Sequence, residues 1–164
     1  MNIDPKFARR NIQKYEWDCG VAVVAFLLRR AGQRVSYAKL MKDLDASAKN
    51  GTDLVKIVAF LKSYPEFEIK IGDNWGFDDL TRELAKERVL LVAYQNWDGP
   101  KDVGKPDYGH YGIVYKIKDD KISIFDPGTS TGLTEFKRDE FEKRWYEDDL
   151  GVHYFRWAAS VRIL

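Results

Sequence analysis

The stretch "CGVAVVAFLLRRAG", residues 19–32, constrains this chain more than any other. Wound as a helix, it is apolar nearly all round. It has no face to turn to water, so it must run through the middle of a core. Asp18 stands before it as an N-cap candidate, which places Cys19 in the first turn. Arg29 and Arg30 fall in the last turn, and Gly32 is placed to close it. A helix buried on every side needs neighbours on every side. The 164 residues suffice for one domain, 1–164, with a core of that kind.

The neighbours are readable in outline. Ser36 caps a short helix through Leu44, and Thr52 caps a third, "DLVKIVAFLKS", with Leu54, Ile57, Val58 and Leu61 on one face. After Pro65 the pattern changes. "FEIKI" alternates as a strand, "DDLTRELAKE" reads as a helix and "RVLLVAYQ" as a buried strand. A long turn-rich loop, "NWDGPKDVGKPDY", leads to "GHYGIVYKIK" and "KISIFDP". These two flank Asp119 and Asp120 as a hairpin. "RDEFEKRWYED" reads as a helix and "FRWAASVRIL" as a closing strand. Helices first and strands later give an α+β class, a helical half packed on an antiparallel sheet.

Composition excludes several functions. Lys and Arg number 27 against 26 Asp and Glu, for a net charge of +1, so no basic surface calls for nucleic acid. One cysteine cannot form an internal disulfide, and two histidines with it cannot build a four-ligand Cys/His zinc site. No cofactor and no metal are expected. The longest apolar run, Val21 to Leu28, is too short to span a bilayer, and the first residues lack a signal-peptide core. With no P-loop in the chain either, these features predict a soluble, cytoplasmic protein.

Cys19 is the first candidate for chemistry. A thiol is a useful nucleophile as its thiolate, and a helix N-terminus favours an anion. Attack on a carbonyl creates an oxyanion that needs preorganised donors, and Gln13, six positions earlier, is placed to fold its amide over the helix tip. His110, at the mouth of a strand, is a candidate base. Asp126, after the apolar strand "ISIF", is a candidate to hold the imidazole. Each residue also has a plainer reading: a buried thiol, a surface glutamine, a loop histidine and a turn cap before Pro127. His153 reads as structural or exposed.

Hairpin register tests the set. A two-residue loop at Asp119-Asp120 pairs His110 with Thr129 and sends Asp126 to the other face, unless a bulge intervenes.

The segments "QKYEWDCGVAVVAFLLRRAG" with "VSYAKL", "NGTDLVKIVAFLKSY", "GHYGIVYKIKDDKISIFDP" and "LTEFKRDEFEKRWYEDD" resemble the papain-like peptidases of the bacteriocin-processing group, cysteine peptidase family 39. They run in that family's order over nearly the whole chain. The long loop before His110 and the "FEKRWYEDD" ending look more like its stand-alone members.

The resemblance implies a papain-like fold with the nucleophile helix at its centre. It also implies Cys19 as nucleophile, His110 as general base and acid, Asp126 as the orienting acid and Gln13 as the oxyanion donor. A peptide or protein substrate follows, cleaved through a thioester. The same residues serve an acyltransferase or deamidase equally well, and a non-catalytic peptide-binding module is the third possibility. Trp17, Tyr108, Tyr111 and Trp145 are candidates to line the substrate groove, although Trp145, on an amphipathic helix, is better suited to packing. The charged loop 98–107 is a candidate lid.

Overall fold

The computed structural model describes residues 2–106 and 108–164. A short helix α1 (Pro5–Arg10), capped by Asp4, precedes the central helix α2 (Cys19–Arg30). Every residue of α2 from Cys19 to Leu28 is buried, as its sequence requires. Gly32 follows with φ +79°, the left-handed conformation that ends a helix. Helices α3 (Tyr37–Asp43) and α4 (Leu54–Lys62) pack beside it. Ser36 caps α3 as expected. The cap of α4 is Asp53, whose carboxylate accepts from the Val55 N–H at 2.8 Å, and not Thr52.

Six strands form one antiparallel sheet: β1 (Phe67–Gly72), β2 (Val89–Gln95), β3 (Gly109–Lys118), β4 (Lys121–Phe125), β5 (Leu133–Lys137) and β8 (Ala158–Ile163). Their spatial order is β1-β8-β2-β3-β4-β5. Between β5 and β8 the chain makes α6 (Arg138–Arg144) and a small separate hairpin, β6 (Tyr146–Asp149) with β7 (Val152–Phe155). The helix expected over "RDEFEKRWYED" therefore stops at Arg144. Its last residues pair as a strand that turns at Leu150 and Gly151, both with positive φ.

The sheet is buried on both faces. Val89, Leu91, Ala93, Tyr111 and Ile113 join α1 to α4 in one cluster. Leu90, Val92, Tyr94 and Val114 join α5 (Phe77–Leu84) and α6 in a second, with Phe141 and Trp145. Two covered faces explain why β2 is apolar without alternation. The α+β class read from the sequence, a helical half packed on an antiparallel sheet, is the one observed, and α5 and α6 cover the second face.

Candidate active site

Cys19 is the first residue of α2 and is buried. Asp18 occupies the N-cap position, but its side chain makes no cap. Its carboxylate instead accepts from the Lys14 and Tyr15 N–H groups, each at 3.1 Å, and from the Tyr37 hydroxyl at 3.0 Å. Asp18 thereby shapes the loop that carries Gln13. The first-turn N–H groups of α2 have no side-chain cap, which leaves the positive end of the helix open toward Cys19.

The β3–β4 hairpin resolves the register question. Lys118 pairs with Lys121, so the loop is the two-residue one at Asp119-Asp120, both with positive φ as a type I′ turn requires. The ladder then slips by one at a bulge between Val114 and Lys116, and beyond it Val114 pairs with Ile124 and Ile113 with Phe125. Continued by three residues, that register sets Gly112 against Asp126 and His110 against Gly128. The extra residue, Tyr115, restores His110 and Asp126 to one face.

There the His110 Nε2 lies 2.6 Å from Asp126 Oδ1. The same oxygen accepts the Gly128 N–H at 2.9 Å, and Oδ2 accepts the Tyr94 hydroxyl at 3.1 Å. Tyr94 stands opposite His110 across the β2–β3 ladder, with its ring edge-on to the imidazole. A Cβ on Gly128 would sit 3.0 Å from the His110 ring, so a glycine there gives the imidazole room. Nε2 is taken by Asp126, which leaves Nδ1 as the other ring nitrogen, and the Cys19 sulfur is near enough to act on the charge of the imidazole.

Electrostatics follow from this arrangement. Burial alone would lower the His110 pKa, but the Cys19 sulfur and the Asp126 carboxylate outweigh it and push the imidazole up to about 10. Burial would raise Asp126, but the bonds from His110, Gly128 and Tyr94 hold it below the usual carboxylate range. The Asp126 carboxylate and the neighbouring sulfur both favour the protonated imidazole.

Gln13 is tied to the same corner. Its N–H donates to the Pro127 carbonyl at 2.9 Å, one residue past Asp126, and its Nε2 donates to Tyr15 O at 2.8 Å. Its Oε1 is buried with no partner among the described residues.

Beside Cys19 opens a cleft of about 390 Å³. Trp17, the 48–52 loop, Gly109, Tyr111 and Glu147 to Asp149 line it. Trp17 and Tyr111 are thus in its wall. Trp145 is fully buried and donates its indole N–H to Trp157 O. Tyr108 lies beside Asp102 and is not part of the wall. Of the charged loop, Asp102 is buried and paired with Lys105, while Asp107 falls outside the described residues. His153 is exposed and bonds Asp148. Among the described residues no group of three His, Cys, Asp or Glu side chains is arranged to hold a metal, and no helix is long and apolar enough to cross a membrane.

Three residues of this corner escaped the sequence reading: Tyr94, Thr52 as a wall residue, and Glu147. A tyrosine in an otherwise apolar, wholly buried strand was the available signal, because a buried hydroxyl needs a partner.

The model of the peptidase C39 family matches residues 10–152. Over 130 residues the chain is 30% identical to the mesentericin-Y105 transport/processing ATP-binding protein MesD of Leuconostoc mesenteroides, covering 79% of this chain and 16% of that one. Over 138 residues it is 31% identical to the lactococcin-G-processing and transport ATP-binding protein LagD of Lactococcus lactis subsp. lactis, covering 81% and 17%. The chain therefore spans only about a sixth of the length of these relatives.

Among solved structures, a putative C39-like peptidase from Bacillus anthracis superposes with TM-score 0.67 at 15% identity, over 93% of this chain and 94% of that one. The peptidase domain of Streptococcus ComA gives 0.62 at 21%, over 93% and 96%. A double glycine motif protease from an AMS/PCAT transporter, in complex with the leader peptide, gives 0.62 at 14%, over 93% and 89%. At these identities the likeness is one of fold.

Proposed function

The chain belongs to the peptidase C39 family of cysteine peptidases, and from that premise we propose that it hydrolyses a peptide bond with Cys19, His110 and Asp126 as a triad and Gln13 as oxyanion donor. The observation that carries this reading is the His110–Asp126 pair, 2.6 Å apart on Nε2, with the other ring nitrogen left for Cys19.

The steps follow from the chemistry of these groups. The Cys19 thiolate adds to the scissile carbonyl, and the oxyanion is held by the Cys19 N–H and by Gln13 Nε2. Tyr15 O uses one of the two Gln13 amide hydrogens, and the second is available. The His110 imidazolium gives its proton to the leaving amine, the C–N bond breaks and a thioester remains. His110, now neutral, takes a proton from water, whose oxygen attacks the thioester. Collapse releases the acid and restores the thiolate–imidazolium pair. Asp126 keeps the ring in the tautomer that both halves need.

For the substrate we propose a leader-type peptide cleaved after a double glycine. Both curated relatives are processing and transport proteins, and one solved neighbour holds a leader peptide.

The test is a synthetic peptide with a Gly-Gly site, followed by mass spectrometry. Two fragments are expected with the wild type and none with Cys19→Ala. His110→Ala should lose nearly as much, because the members act as a unit. Gln13→Ala should lose ~10²–10³ in rate. Equal turnover by wild type and Cys19→Ala would end the proposal.

A further inference from the structure

The cleft beside Cys19 is acidic and holds an unsatisfied polar group. Glu16, Glu147, Asp148 and Asp149 contribute to its wall against a single basic residue, Lys49. Two of these acids are already engaged, since Asp149 accepts from the Leu54 N–H at 3.0 Å and Asp148 bonds His153. Glu147 differs. It is 9% exposed, its Oε1 accepts the neighbouring Asp148 N–H, the Gln95 side chain lies beside the carboxylate, and no cation pairs with it among the described residues.

Its place is made by a neighbour's missing side chain. A Cβ on Gly109, the residue before His110, would collide with the Glu147 carboxylate. On the facing wall Thr52 is 4% exposed, and its hydroxyl has no partner among the described residues. A buried carboxylate without a cation and a buried hydroxyl without a partner are both costly unless something enters to meet them.

We propose that this cleft is a cation-selecting subsite, in which Glu147 receives the basic side chain of a lysine or arginine close to the scissile bond of the peptide substrate. The inference rests on Cys19 being the nucleophile, and it adds a substrate preference to that reading. Burial, together with the charges of Asp149 and Asp148, raises Glu147 to about 7. An ammonium or guanidinium group would favour its ionised form and meet the charge that those neighbours resist.

Three alkylating reagents that share the iodoacetyl group and differ in charge test this at pH 8 without a known substrate: iodoacetamide, iodoacetate, and the 2-ammonioethyl amide of iodoacetic acid. Each rate of Cys19 labelling is divided by that of the same protein with iodoacetamide, and compared with the same ratio for glutathione. In the wild type the cationic reagent should be favoured by ~10-fold over the glutathione reference, the order expected for one charge pair at a partly screened site. Glu147→Gln should bring the ratio back toward that reference. Should Glu147→Gln fail to fold, Asp149→Asn, which keeps an acceptor for the Leu54 N–H, should lower the ratio in the same direction. A wild-type ratio equal to that of glutathione, or a raised ratio untouched by either variant, overturns the subsite. A His110→Ala chain is labelled beside these: iodoacetamide labelling that does not depend on His110 overturns the nucleophile reading itself, and the two failures are told apart in one experiment.

Discussion

Replacing Asp126 by asparagine should be mild, and replacing it by alanine severe. The reason lies in how the carboxylate is shared. Oδ1 accepts from both His110 Nε2 and the Gly128 N–H, while Oδ2 meets only the Tyr94 hydroxyl. An amide at this position has one orientation that fits. Its oxygen must replace Oδ1, because an NH2 group there would face two donors. The NH2 then points at Tyr94, whose hydroxyl accepts as readily as it donates. Every hydrogen bond survives and only the charge is lost.

A charge-assisted bond is roughly twice as strong as a neutral one, so the loss is about 1.5 kcal/mol, or ~10-fold in rate. The alkaline limit of activity, set by a His110 pKa of about 10, should move down because the carboxylate charge that helps to hold the proton is gone. Alanine instead leaves the Gly128 N–H, the Tyr94 hydroxyl and the imidazole unpaired in a buried site, and the ring unoriented. Its cost should reach about 3–5 kcal/mol, or ~10²–10³ or more in rate.

The assay is cleavage of the Gly-Gly peptide against pH for both variants, with iodoacetamide labelling of Cys19 beside it. If asparagine is as damaging as alanine, the Gly128 N–H does not set the amide, and the argument fails. If asparagine leaves the alkaline limit in place, the carboxylate charge is not what holds the His110 proton.

Two predictions concern stability. Gly20→Ala would put a Cβ 2.6 Å from Thr52 Cβ and 2.8 Å from its hydroxyl; it should destabilise by about 1–3 kcal/mol in chemical denaturation, and Thr52→Ala in the same chain should recover part of that. Glu83, buried beneath β8, is held down at about 2 although burial alone would raise it, because Lys86, Ser160 and Lys70 hydrogen-bond it. Its depressed pKa adds stability above the ordinary 4.5 that is lost as pH falls toward 2. The stability gap between wild type and Glu83→Gln should therefore be level from pH 7 to 5 and narrow below that; a gap unchanged at pH 2.5 would contradict the assignment.

Much of the fold was legible because it is written in one-dimensional patterns. The all-round apolar run of α2, the apolar block of β2 and the two strands about Asp119-Asp120 announce themselves by period and by turn chemistry. What was missed lies where tertiary contacts decide. Strand β5, "LTEFK", sits at the sheet edge with no buried residue, so no apolar run marks it. Residues 146–149 continue a helical charge pattern but leave the helix to pair with β7. Asp18 and Thr52 occupy positions where such residues cap helices. The first is drawn to Lys14, Tyr15 and Tyr37, and the second is packed against Gly20. Capping is a local preference worth about 1 kcal/mol, and a buried network outweighs it.

The candidate site shows the same division more sharply. Cys19, Gln13, His110 and Asp126 can be named from the sequence, but whether the last two meet turns on one inserted residue. With the Asp119-Asp120 turn alone, strict alternation sends the imidazole and the carboxylate to opposite faces. The bulge at Tyr115 changes the parity of the strand, and everything before it in β3 exchanges faces relative to β4. No propensity marks that position, since Tyr115 suits a regular strand as well as a bulge. Packing supplies the constraint. Val114 and Ile117 pack against the same core although they stand three residues apart, where strict alternation would send them to opposite faces, and Lys116 and Lys118 stay at the surface. With the turn fixed, an extra residue between Val114 and Ile117 reconciles the two. The bulge is therefore a consequence of burying both faces of the sheet, and the approach of His110 to Asp126 follows from it.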